Sequence, residues 1–155
     1  VKMKLFPSGS SAAWLERAAR LLLGAVFIFA AVDKIIDPAG FAQSIANYQI
    51  LPPLWVNPTA LFLPWLELVC GLGLITGVCK QGCTLLVAFM LMLFSAAVGY
   101  SAYRGLDIHC GCFATDGAGT PSLWLDFFRD VVLLTLAVMV LYRARQLERY
   151  RPPGV

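Results

Sequence analysis

CTLLVAFMLMLFSAAVGYSAY, residues Cys83 to Tyr103, carries no charged side chain from end to end. A helix of about 20 apolar residues crosses roughly 30 Å of hydrocarbon, so this stretch is long enough to span a bilayer. Three further apolar stretches of that length flank it, from about Arg17 to Ile36, Pro58 to Val78 and Leu123 to Tyr142. The whole chain of 155 residues is 59% hydrophobic and 14% charged, with a mean hydropathy of +0.75. Those values leave too few polar groups to cover a water-soluble globule of this size. The expected fold is an all-α membrane protein, a four-transmembrane-helix bundle.

The first stretch follows a polar lead and ends in Val32-Asp33-Lys34 without a small-x-small cleavage pattern, so it is read as a retained helix and not as a signal peptide. The net charge of +3 comes from bases at helix ends, where membrane topology explains them, and nucleic acid binding has no support. Lys2, Lys4, Arg17 and Arg20 precede helix one, Lys80 lies between helices two and three, and Arg143, Arg145, Arg149 and Arg151 follow helix four. By the positive-inside rule both termini are cytoplasmic, in an inner membrane, and the connections 37–57 and 104–122 face outward. The organisation expected is a polar tail over 1–16, a membrane domain over 17–142 and a basic tail over 143–155. Residues 1–13 and the stretch from Arg143 onward are expected to be mobile.

Between helices one and two, Asp37-Pro38 has the pattern of an N-cap followed by proline at the first helical position. Phe41, Ile45 and Tyr48 follow at helical spacing, which predicts a short outer interfacial helix with those residues toward the bundle, ended by Leu51-Pro52-Pro53. In helix two, Pro64 removes the donor for the Ala60 carbonyl and is expected to bend the helix, while Gly73 and Gly77 permit close packing. Asp126 and Asp130, in the first turns of helix four beside Arg129, complement its positive start.

Ile108-His109-Cys110-Gly111-Cys112-Phe113 is the densest chemistry in the chain. Cys110 and Cys112 can close a small disulfide ring around Gly111, and ring strain makes such a bond easier to reduce. An inert structural pair and transient Cu(I) binding by two thiolates and an imidazole are the alternatives; no metal site is assigned. His109 is the adjacent group able to lower a thiol pKa. Cys79 and Cys83 fall at the opposite face, so no disulfide joins the inner and outer cysteines, and Cys70 reads as packing.

Glu67 stands about nine residues into helix two, roughly 13 Å below its outer end at 1.5 Å per residue. A carboxyl at that depth is a functional candidate, with Lys34 or Arg129 as its partner, or else half of a structural ion pair. Trp65 and Tyr48 are candidates to line an apolar pocket with Glu67 as its polar end, a setting for a quinone; no tightly bound cofactor is implied.

With these residues in view the chain resembles the MauE branch of the DoxX-like membrane proteins. The resemblance rests on Gly24 through Lys34, Asp37-Pro38, Leu51-Pro52, Pro64-Trp65-Leu66-Glu67 with Gly71, and Cys110-Gly111-Cys112-Phe113, and spans about residues 17–142. Ala114 departs from the glycine usual after the phenylalanine, which touches only the local turn. The resemblance implies a four-helix bundle similar to quinone-linked disulfide-forming membrane proteins. It also implies association with extracytoplasmic thioredoxin-like proteins, as in the maturation of disulfide-rich methylamine dehydrogenase. The reading is a membrane thiol–disulfide relay of disulfide oxidoreductase type, with Cys110 and Cys112 exchanging and His109, Gly111, Glu67 and Lys34 in support. Its rival is a non-catalytic subunit or assembly factor of a larger membrane redox complex, whose cysteines only fasten an outer loop.

Overall fold

In the computed structural model the described residues are 10–105 and 123–149, with side chains over 14–105 and 127–145. Cys110, Cys112, His109 and Gly111 lie outside them. The described residues form helices and no strands: α1 (Ser10–Ile36), α2 (Pro38–Asn47), α3 (Pro53–Thr76), α4 (Lys80–Tyr103) and α5 (Leu123–Arg149). Two of them, α3 and α4, are long and apolar enough to cross a membrane. The other two long helices are broken in apolarity by Arg20, Asp33 and Lys34 in α1 and by Arg129, Asp130 and Arg143 in α5.

The long helices form a square. α1 packs most extensively on α3 and α4 on α5, while α3–α4 and α5–α1 close the ring. Leu23, Leu74, Val87 and Ala137, one from each long helix, are fully buried at the centre. Large apolar side chains also point outward on all four, among them Phe29, Phe62, Phe89 and Val132.

α2 forms as its residues dictate. The Asp37 carboxylate accepts a hydrogen bond from the Gly40 amide at 2.9 Å, Pro38 occupies the first turn, and Phe41 and Ser44 are buried. Ile45 and Tyr48 are partly buried on the same side. The short helix lies chiefly against α3, and the Arg104 guanidinium at the end of α4 donates to the Gln49 side chain at 3.2 Å, tying α4 to the end of α2.

Several boundaries differ from the sequence reading. Pro52 and Pro53 do not merely end α2: they start α3, with Pro53 in its first turn, because proline lacks a donor that the first turn does not need. α3 therefore begins five residues before the expected Pro58 and runs on through both Pro58 and Pro64. Gly77 is not a packing residue within a helix. It adopts φ 77° as the C-cap of α3, donating to the Gly73 carbonyl at 3.0 Å, a backbone state that favours glycine. α1 already starts at Ser10 and α5 continues to Arg149, so parts of both expected mobile tails are helical. Just beyond the first of them, the Arg17 guanidinium lies 5.9 Å from the Trp14 indole centroid.

Candidate functional site

Lys34 and Glu67 meet inside the bundle, toward its α2 end. The ammonium donates to both carboxylate oxygens, at 2.7 and 2.8 Å, and each side chain is 1% exposed. Of the two partners open to Glu67 in the sequence, the structure selects Lys34. Arg129 instead turns its guanidinium to the neighbouring Asp130, at 3.1 Å.

The chain reaches this arrangement because α1 ends early and α3 does not. Lys34 stands in the last turn of α1, whereas Glu67 lies about 21 Å along α3 from Pro53 at 1.5 Å per residue. α2 then folds across the end of α1 and brings Phe41 over the pair, with the ammonium 4.9 Å from its ring centroid. The ring of Phe94 in α4 stands on another side at 5.1 Å. Two aromatic rings and two carboxylate bonds replace water around the cation, which is what a buried ammonium requires.

Asp130 is the residue that the sequence reading assigned elsewhere. It is 3% exposed. It does not stop at complementing the start of α5 but lines a cavity of about 20 Å³ with Lys34 and Glu67. Val26, Phe27 and Ala30 of α1, Leu91 and Phe94 of α4, and Leu133 of α5 supply the apolar walls. The signal was present in the sequence: an acid two turns into an apolar helix is as costly as Glu67, and depth separates it from a surface acid of the first turn.

The other candidates are not gathered at this site. Trp65, two positions before Glu67 on α3, faces outward and is 54% exposed. Tyr48 packs with Ala102 and Phe127 around the buried Val98, nearer the end of α4. Cys70 is buried in the central core, one turn from Glu67. Cys79 is exposed in the turn between α3 and α4, and Cys83 is partly buried in the first turn of α4; both are free thiols.

Three helices, α1, α3 and α5, thus bring two acids and one ammonium together, with a guanidinium alongside, and α4 helps to close the apolar shell. Such a cluster can hold charge, exchange a proton between its members, or lock helix register.

The family described as methylamine utilisation protein MauE matches residues 12–143. The methylamine utilization protein MauE of Paracoccus denitrificans is 32% identical over 124 residues, covering 79% of this chain and 66% of its own. That of Methylophilus methylotrophus is 35% identical over 127 residues, covering 81% and 65%, and that of Paracoccus versutus 31% over 138 residues, covering 88% and 72%. The chain spans about two thirds of the length of these curated relatives. No solved structure matches it.

Proposed function

The chain belongs to the MauE family, and from that premise we propose that it is a membrane thiol–disulfide relay, a maturation factor that exchanges disulfides with an extracytoplasmic thioredoxin-like partner. The observation that supports the reading is the end of the bundle at which α4 stops: Arg104, just past Tyr103, donates to Gln49 at the end of α2. Cys110-Gly111-Cys112 follow six to eight residues later in the sequence. Arg17, Arg20, Lys80, Arg143 and Arg145 belong to the opposite end. The positive-inside rule makes that basic end cytoplasmic and the cysteine end extracytoplasmic, where oxidised thiols persist.

In this reading all four long helices span the inner membrane, with α2 lying on its outer interface. Outward apolar side chains such as Phe29 on α1 and Val132 on α5 support lipid contact for α1 and α5, the two long helices whose apolar runs are interrupted by charges. Lys34 of α1 and Asp130 of α5 turn inward to the cavity, as intramembrane charges do.

Exchange proceeds by attack of a thiolate on a disulfide sulfur, through a mixed disulfide that the second thiol resolves. In the oxidising direction a partner dithiol becomes a disulfide while the Cys110–Cys112 disulfide becomes two thiols. Reoxidation passes two electrons and two protons to a quinone, which leaves as quinol. Because the named relatives are methylamine utilization proteins, the service proposed for this chain is maturation of disulfide-containing proteins of that process, with no turnover of methylamine itself.

Trapping in the native host tests it. Cys110→Ser and Cys112→Ser are made singly, and one of them is expected to accumulate a reducible adduct with a thioredoxin-like protein, since the resolving thiol is gone. If neither forms an adduct and disulfide-containing proteins mature normally, the relay fails and a non-catalytic subunit takes its place.

A further inference from the structure

The cavity beside the ion pair has room for one water, and three charged side chains border it. A water needs about 10–15 Å³ and two to four polar partners; the space is about 20 Å³ and three charged side chains, Lys34, Glu67 and Asp130, border it. All three are at most 3% exposed, so bulk solvent does not serve them. We propose that this cavity holds one water, which bridges Asp130 to the Lys34–Glu67 pair, and that the three side chains and the water form a proton-exchange site inside the bundle.

The chemistry follows from donors and acceptors. Lys34 has three N–H donors, of which two go to the Glu67 oxygens at 2.7 and 2.8 Å. A third remains for a water. The charged groups around Asp130 are Lys34 from α1, Glu67 from α3 and its own neighbour Arg129 on α5, whereas α4 presents Leu91 and Phe94. Two cations and two anions sum to zero, so a proton can change its position within the set without changing the charge buried.

One transfer runs from Lys34 to the water and from the water to Asp130. An N–H bond breaks as an O–H bond of the water forms, and another O–H bond of the water breaks as that of the Asp130 carboxyl forms. No electron moves and no charge leaves the site. Transfer from Lys34 to Glu67 is the alternative within the pair, and the water is what adds α5 to it. The site stands on its own geometry. If the relay reading holds as well, it offers a place for protons released when thiols are oxidised.

The test is infrared difference spectroscopy of the full chain in lipid vesicles, unaltered protein minus variant, in H₂O, D₂O and H₂¹⁸O. The expected result has two parts: a carboxyl C=O band that shifts in D₂O and is lost in Asp130→Asn, and a water O–H band that shifts in H₂¹⁸O and is lost in Val26→Ile. Val26 lines the cavity, and isoleucine adds one methylene to it without altering a charge. A carboxyl band unchanged in Asp130→Asn, or a water band absent in the unaltered protein or unchanged in Val26→Ile, overturns the proposal. Should Asp130→Asn not fold, Val26→Ile and isotope exchange decide it. Cysteine trapping does not read this site, so the relay and the proton site fail separately.

Discussion

A methyl group on Gly24 would sit 2.9 Å from the carbonyl oxygen of Gly71, and one on Gly71 would sit 2.9 Å from the carbonyl oxygen of Gly24. The two glycines face each other across α1 and α3, backbone against backbone, and neither helix can yield without moving the other. This contact sets the register that delivers Lys34 to Glu67: ten residues beyond Gly24 on α1, and one turn before Gly71 on the antiparallel α3.

Gly71→Ala is expected to destabilise the bundle by about 1–3 kcal/mol through overpacking, because its new carbon would also meet the Ile28 side chain at 2.8 Å. Gly82→Ala is the control. Nothing lies within 4 Å of that position in α4, so alanine there should be neutral or stabilising by up to about 1 kcal/mol. Thermal unfolding in detergent checks both; equal melting points for the two variants would contradict the close approach.

Removing one member of the buried ion pair should cost about 3–5 kcal/mol, since the other charge is left without its partner. Lys34→Met and Glu67→Gln are therefore expected to lower folded yield sharply. The double variant Lys34→Met with Glu67→Met should recover most of it, because no lone charge remains. If a double variant that folds also keeps full redox activity, the pair is structural; if it folds and is inactive, the pair serves function.

Asp37→Ala should loosen α2 by about 1 kcal/mol by removing the cap to Gly40. The effect to look for is local: faster amide hydrogen exchange over residues 38–47, with α4 and α5 unchanged. Since α2 carries Phe41 over the Lys34 ammonium, exchange that rises uniformly along the chain would mean that α2 is part of the global fold and not a separable cover.

Membrane-impermeant thiol labelling of reduced, intact cells should reach Cys110 and Cys112 and leave Cys79 unlabelled until the cells are opened. Cys79 is exposed in the turn at the basic end of the bundle. Cys70, 1% exposed in the core, should label only on unfolding. Labelling of Cys79 before Cys110 reverses the orientation.

Legible in the residues alone are the helical character of the chain, the Asp37-Pro38 start of α2, the depth of Glu67 in an apolar run, and the family through residues such as Gly24, Gly71 and Pro64-Trp65-Leu66-Glu67. These are local: capping, length and the presence of a charge in an apolar run can be read one segment at a time. It takes the packing of distant segments to show that Lys34 and not Arg129 neutralises Glu67, that Asp130 joins them at a cavity, and that Trp65 faces away. In α3 and α4 apolar residues occur on every face, so periodicity does not separate the side turned to the core from the side turned outward. That separation comes from how the helices touch, and the touching is set where two glycines from distant parts of the chain let their backbones meet.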